Sequence, residues 1–400
     1  MGEAFHTRAL LAKFFGPGNR LGLEHQLLGM PHPYLTTKTF WFIIGVSPKR
    51  FGRSGKGIQQ VTVTLKDIAR HVNRSVTTVS RALHDYDDVN VETRELVKRT
   101  ALELGYMPNV VAQRLQKRRT DTLGLILPTF GPRLSDPHFA EVLAGVGDEA
   151  ARAGFDLLIS IADPDLDELE VYRQKLSGRG VDGLLVVRTG CHDERVEFLS
   201  SQNVPFVAYG RILDDKDFPY VDVDQVAGMR ALVQHLSGLN HRRIGFISGS
   251  PEFTFVHYQL EGFRQAMAIC GLPVDEGLII QADLTQRGGY AAAQTLLSQS
   301  VPPSAIVTGN DLMALGVMSA AQDQGLEVGR DLAVAGFDDT PLAETSHPTL
   351  TTVRQPAHRI GQLLGQMLIA LACGDRVAER QVLVQPSLII RQSTNLDLWL

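Results

Sequence analysis

The sequence predicts an α/β protein in three parts: a three-helix N-terminal head, a short hinge helix, and a body of two doubly wound α/β subdomains. Two patterns predict it. From Thr64 to Leu104, apolar residues recur at helical spacing in three short runs divided by turn residues. Beyond Thr122, apolar strand-like runs alternate with amphipathic helical ones in two series, which implies parallel sheets. A chain of 400 residues is too long for one compact core, and 44% apolar with 21% charged residues is a globular composition rather than a disordered or fibrous one.

Residues 1–60 mix Gly, Pro, basic and aromatic residues without sustained periodicity, so little stable structure is expected there. They read either as a poorly structured extension or as the product of a start codon upstream of the natural one near Val61. No run approaches the roughly 18 to 20 apolar residues of a membrane span, and no basic segment leads into an apolar secretory block. Cys191, Cys270 and Cys373 are far apart, which suits neither a disulfide framework nor a zinc cluster and points to a reducing compartment. A cytoplasmic protein is expected. Charge is uneven: residues 1–60 carry 8 basic against 2 acidic groups, 61–119 carry 11 against 7, and 120–400 carry 20 against 35. That is the balance of a polyanion-binding head on an acidic regulatory body.

The head is expected over 61–108. Thr64-Leu65-Lys66-Asp67 has capping-box spacing and opens a helix to about Val72. Asn73-Arg74 makes the turn, since Asn tolerates left-handed backbone, and Ser75 caps a second helix through about Leu83. A third helix runs from about Val91 to Leu104 and stops at Gly105. Leu65, Ile68, Val72, Val79, Leu83, Leu96, Val97 and Leu102 are the expected packing surface. This is a helix-turn-helix, which lays its second helix in the major groove. Val76 and Thr77 would then meet base edges, Val76 suiting a thymine methyl, and Arg81 one turn on would reach guanine or phosphate. The other reading of these three is a solvated helix face.

A short amphipathic stretch, Val110 to Leu115, precedes Gln116-Lys117-Arg118-Arg119 and makes 109–120 the expected hinge helix and linker. In the body, 121–400, strands are expected at Leu123 to Leu127, Asp156 to Ile161, Gly183 to Val187 and Val204 to Tyr209. A second series is expected at Arg243 to Ile247, Leu278 to Gln281, Ala305 to Thr308 and Leu332 to Gly336.

The runs Thr64-Leu-Lys-Asp-Ile-Ala-Arg70, Ser75-Val-Thr-Thr-Val-Ser-Arg-Ala-Leu83, Thr93-Arg94 and Leu104-Gly-Tyr-Met-Pro-Asn-Val-Val-Ala-Gln-Arg-Leu115 resemble the DNA-binding head and hinge of the lactose-repressor (LacI/GalR) family of bacterial transcription regulators. Thr308-Gly-Asn-Asp-Leu-Met-Ala-Leu-Gly316, Val334-Ala-Gly-Phe-Asp-Asp339 and Leu350-Thr-Thr-Val-Arg-Gln355 carry the resemblance over about residues 62–394. It implies DNA contacts from Thr64, Ser75, Val76, Thr77, Thr78, Ser80, Arg81, Asn109, Ala112, Gln113 and Leu115. Leu115 would be the wedge that partly unstacks a central minor-groove step, unless it packs the linker against the head. Family members usually carry Gly or Ala and then Gly-Val at the turn; this chain has Val72-Asn73-Arg74.

For the body the resemblance implies the type I periplasmic sugar-binding fold, with three crossovers between a subdomain of about 122–222 and 353–381 and another of about 223–352 and 382–400. The effector would lie in the cleft between them, touched by Asp136, His138, Phe139, Arg211, Gln259, Asn310, Asp338 and Gln355. Asp338 and Asn310 follow strand ends, where open α/β sheets bind ligands; helix capping by Asn310 or Asp311 is the other reading. Gln259 stands where the family usually has an effector-binding Arg, so an uncharged sugar is expected, with Arg211 supplying the lost donor. Phe253 and Phe255 add either to the cleft wall or to the core.

No Gly-x-Ser-x-Gly elbow, phosphate loop or His-Glu-x-x-His is present, and Gly145-Val-Gly147 lacks the third glycine of a dinucleotide loop. Neither enzyme activity nor a metal or cofactor is expected. The reading is a transcriptional repressor whose grip on double-stranded operator DNA is set allosterically by a sugar. A homodimer is expected, because the chain stops too soon after Thr394 for the family's tetramer-forming helix. The alternative is a sugar-binding protein or sugar-processing enzyme in which the DNA head is secondary.

Overall fold

The computed structural model describes residues 63–106, 119–127, 135–161, 168–178 and 180–395. They fall into two units divided between Met107 and Pro108. The head comprises α1 (Leu65–Val72), α2 (Val76–Leu83) and α3 (Val91–Glu103). Its helix ends follow the sequence chemistry: Asp67 Oδ2 accepts from the backbone N–H (2.9 Å) and hydroxyl (2.7 Å) of Thr64, Asn73 takes φ 51°, and Ser75 Oγ accepts from Thr78 N at 3.0 Å. Ile68, Val72, Val79, Ala82, Val97 and Ala101 are its buried core. Leu102 does not join it. Five residues after Val97 it points about 140° away, leaving the side chain 83% exposed, while Ala101 takes the inward position.

The body holds two six-stranded sheets. The first joins β1 (Thr122–Leu127), β2 (Asp156–Ile161), β3 (Gly183–Val187), β4 (Phe206–Tyr209), β5 (Tyr220–Val223) and β11 (Gln381–Val384) in the order β11-β5-β4-β3-β1-β2, all parallel. The second joins β6 (Ile244–Ser248), β7 (Ile279–Gln281), β8 (Ala305–Thr308), β9 (Ala333–Asp338), β10 (Thr351–Arg354) and β12 (Ser387–Ile389) in the matching order β12-β10-β9-β8-β6-β7, with β12 antiparallel. Helices α4 (Pro137–Ala153), α5 (Glu168–Ser177), α6 (Glu194–Ser201), α7 (Gln225–Gly238), α8 (Thr254–Ile269), α9 (Gln286–Leu297), α10 (Asp311–Asp323) and α12 (Ala357–Cys373) connect the strands, together with the short α11 (Pro341–Thr345). Strands β5, β10, β11 and β12 were not expected; Asp222, Thr351, Thr352, Arg354, Gln381 and Ser387 interrupt or replace the apolar run that marked the other strands.

The chain passes between the sheets at Asp224, at Gln355-Pro356 and at Gln385-Pro386. These passages lie two to four residues beyond the expected breaks at 222/223, 352/353 and 381/382, because β10 finishes the second sheet and β11 the first. Gly145 lies inside α4, and its role is packing. A Cβ there would meet the His358 carbonyl oxygen at 2.2 Å, and one on Gly361 of α12 would meet the Val142 carbonyl oxygen at 2.0 Å. The two helices touch backbone to backbone, with Val142, Val146, Ile360 and Leu364 buried around the contact.

Candidate functional site

The outward face of α2 is where its inner residues Val79 and Ala82 force it to be, and it presents Val76, Thr77 and Arg81 to solvent. Thr64 is exposed at the start of α1 and Ser80 is half-buried. The Ser75 and Thr78 hydroxyls bond each other at 2.8 Å, so both are tied into the helix start. Arg81 is held in place: its Nε donates to Asp88 Oδ1 at 3.1 Å, Nη2 lies 2.7 Å from Asp88 Oδ2, and the guanidinium sits 5.0 Å from the Tyr86 ring centroid. Asn109, Ala112, Gln113 and Leu115 lie outside the described residues. The three helices with their turns, residues 63–106, carry seven basic and seven acidic residues, so the basic excess expected of the head belongs instead to Arg114, Lys117, Arg118 and Arg119.

In the body, the carboxyl ends of the parallel strands of both sheets converge on a cavity of about 90 Å³. Asp136, His138, Phe139, Gln259, Asn310, Asp338 and Gln355 all line it. Arg211 does not. Its Nε is spent on buried Asp222 at 2.7 Å, and its guanidinium stacks 4.1 Å from the Tyr258 ring centroid. Phe255 lines the cavity; Phe253 stacks on it at 5.9 Å between centroids without lining the cavity itself.

Each lining residue is placed by an element end. Asp136 caps α4 by accepting from His138 N at 3.0 Å, which sets His138 and Phe139 in the first helical turn. His138 Nε2 bonds the Tyr209 hydroxyl at 2.9 Å, and its Nδ1 lies 3.9 Å from Asp338 Oδ1. Asn310 caps α10 through Met313 N at 3.0 Å and donates to the Leu284 carbonyl at 2.9 Å, so the capping reading holds for it even though it lines the cavity. Asp338 ends β9 at φ 127°, a strained conformation for a residue with a Cβ, and accepts from Gln355 Nε2 at 2.6 Å.

Burial dominates the electrostatics. It lowers the His138 pKa and raises Asp338 well above the carboxylate range, where Asp136 and Asp311 push it the same way. Burial likewise raises Asp222, against the pull of Arg211, and lifts Asp311 behind the cavity to about 7. For each of these four groups burial shifts the balance towards the uncharged form relative to water. Two buried amide oxygens of the lining, Gln259 Oε1 and Gln355 Oε1, have no hydrogen-bond partner, whereas Gln259 Nε2 is satisfied by Gln225 Oε1 and the Gly309 carbonyl, both at 3.1 Å.

Arg188, Thr189, Tyr209, Asp222 and Gln225 also line the cavity, and sequence reading missed them. The strand-end rule that marked Asp338 would have found Arg188, Thr189 and Tyr209 at the ends of β3 and β4. Asp222 needed β5 to be seen. Arg188 takes φ 52°, and its loop is fixed from behind by buried Arg195, which donates to the Arg188 carbonyl at 3.1 Å, to Asp193 Oδ1 at 3.0 Å and Oδ2 at 2.7 Å, and to Glu168 at 2.9 Å. The same loop ties the first lobe to the second. Gly190 and Phe253 form an antiparallel bridge, Cys191 N donates to the Glu252 carbonyl at 2.8 Å, Thr254 N to the Thr189 carbonyl at 3.0 Å, and Thr254 Oγ1 to the Gly190 carbonyl at 2.7 Å.

Residues 64–109 match the family of bacterial regulatory proteins, lacI family, and residues 233–394 match the periplasmic binding protein-like domain. The chain is 34% identical to the HTH-type transcriptional regulator AglR of Rhizobium meliloti (strain 1021), over 83% of this chain and 94% of that one. It belongs to the lacI family. As a lacI-family protein it is a transcriptional regulator and not an enzyme. Among solved structures it is similar to the lac repressor dimer bound to operator and the anti-inducer ONPF, with 26% identity and a TM-score of 0.74 over 84% of this chain and 99% of that one. It is also similar to the transcriptional regulator CelR–cellobiose complex, with 32% identity and a TM-score of 0.64 over 83% and 99%. No helix among the described residues of this lacI-family chain is long and apolar enough to cross a membrane.

Proposed function

We propose that this lacI-family regulator is a repressor that binds its operator as a homodimer and changes its grip when a neutral sugar fills the cavity between the lobes. The observation that carries the sugar reading is the pair of unpartnered buried oxygens, Gln259 Oε1 and Gln355 Oε1. A buried acceptor left unpaired costs about 1–3 kcal/mol, so the cavity favours a ligand that brings donors. Sugar hydroxyls bring them; a phosphate or carboxylate would set acceptor against acceptor, beside the Asp338 and Asp222 carboxyls, whose pKa values burial raises. Arg188 lines the cavity too, but its charge faces Asp136.

The dimer reading rests on unpaired apolar edges. Strand β2 ends the first sheet with Leu158, Ile159 and Ile161 at 40%, 39% and 62% exposure, a surface that a second copy would cover. Two α2 helices would then meet successive major grooves of a near-palindromic site, with Val76, Thr77 and Arg81 nearest the bases. Such a regulator would work at the nucleoid, in the cytoplasm.

Thermal unfolding with a panel of neutral mono- and disaccharides, sugar phosphates and uronic acids tests the sugar. Stabilisation by a neutral member, with a matching change in DNA affinity, is expected; stabilisation confined to the anionic members would overturn it. Light scattering should give twice the chain mass.

A further inference from the structure

The Arg81–Asp88 contact has a geometry that surface ion pairs rarely need. Asp88 takes the Nε–Nη2 edge of the guanidinium with both carboxylate oxygens, at 3.1 and 2.7 Å, while the Tyr86 ring lies 5.0 Å from the guanidinium carbon. That leaves the Nη1–Nη2 edge, the edge that fits guanine N7 and O6 side by side. The turn that carries Asp88 is itself fixed. Arg94 of α3 donates to the Tyr86 carbonyl at 2.8 Å and the Val89 carbonyl at 3.1 Å, Tyr86 N donates to the Arg81 carbonyl at 3.1 Å, and Lys98 pairs with Asp85 at 2.5 Å. Arg81 is therefore a long side chain with its plane preset, on the outward face of α2.

We propose that Asp88 is a positioning residue for base readout: it orients Arg81 towards a guanine in the major groove and keeps it from settling on the nearest phosphate. The proposal rests on Arg81 facing DNA and adds a residue outside the second helix to the specificity apparatus. A guanine can be addressed with the Asp88 pair intact, so no bond is lost on reading the right base. A phosphate contact would instead bring Asp88 against backbone negative charge, in a head whose described residues carry no net charge to offset it. Asp88 thus lowers affinity for arbitrary sequence while fixing the fork in advance for the chosen one.

The test uses the full-length protein and a 30-bp duplex pool with a randomised core. Selection by the wild type should enrich a guanine at a position that Arg81→Ala relaxes to all four bases. Asp88→Asn should weaken that guanine preference about two- to fivefold, the range an exposed ion pair can set. It should also tighten binding to the unselected pool and steepen the slope of log K against log salt by about one per head. A purely structural role would weaken all DNA alike and leave the base preference unchanged, and that result overturns the proposal. So does an equal effect from Asp87→Asn, the same charge change one residue away. If Arg81→Ala leaves the selected pattern unaltered, Arg81 does not read a base, and the proposal falls together with that reading; if only Asp88→Asn is silent, the Arg81 reading survives alone.

Discussion

Replacing Arg195 by Met should expose how the cavity loop is held. Arg195 and Asp193 are 8% and 5% exposed, so their pair is not screened by water, and the guanidinium makes two bonds to Asp193, one to Glu168 and one to the Arg188 carbonyl. Met fills much of the volume but strands a buried carboxylate, which costs about 3–5 kcal/mol. For a body of this size that is a fall in Tm on the order of 10 °C. The pH dependence sharpens the expectation. Burial alone would raise the Asp193 pKa, but the bonds and charge of Arg195, with the N–H groups of Gly190 and Val196, bring it below its ordinary value. In the wild type its stabilisation is therefore present above about pH 4 and is lost as pH falls through the folded pKa. Without the Arg195 side chain, backbone N–H groups, those of Gly190 and Val196 among them, are all that oppose the burial, the folded pKa rises above its ordinary value, and the variant loses stability as pH climbs from about 4. The gap between the two proteins should widen from pH 4.5 to 7.5 in urea unfolding followed by circular dichroism. Arg195→Met/Asp193→Leu should recover most of the loss. A deficit below about 1 kcal/mol at pH 7.5, or one that grows towards acid, would refute the idea that this pair is a buried, mutually dependent unit.

Asp338→Asn should abolish or greatly shrink the thermal shift given by the active sugar while leaving DNA affinity unchanged. Because burial, Asp136 and Asp311 raise its folded pKa, the wild-type carboxylate penalises the fold above about pH 4 and not below. The variant's Tm should therefore exceed the wild type's at pH 8 and converge with it near pH 4. Gly361→Ala should cost roughly 1–2 kcal/mol in urea unfolding, because a Cβ 2.0 Å from a carbonyl oxygen must push α4 and α12 apart, and overpacking outweighs alanine's helix preference. Ser75→Ala removes the acceptor for Thr78 N and should lower the head's stability by about 1 kcal/mol, read as faster amide exchange in α2.

How much the sequence disclosed followed the range of the signal. Caps and apolar periods are local, so α1, α2, α3 and the long strands were legible with ends correct to one or two residues; of the seven expected residues that line the cavity, the strand-end rule marked Asp338 and Asn310, and the other five came from the family resemblance. Arg211 was misplaced because nothing local says that Asp222, eleven residues on, will claim its guanidinium. Leu102 failed for a related reason: a helix with charged residues on most sides leaves its inner face ambiguous until α1 and α2 are docked. Arg188 was within reach of a local signal, since it directly follows the expected strand Gly183–Val187, but the strand-end rule was applied only to β8 and β9.

The strand-like tie between residues 189–191 and 252–254 sets a kinetic condition on whatever occupies the cleft. Three backbone-anchored hydrogen bonds, each worth about 0.5–1.5 kcal/mol net, have to break together before the lobes can part on that side. Entry and escape on that side then wait on the same opening, and apparent affinity is discounted by the fraction of time it is open.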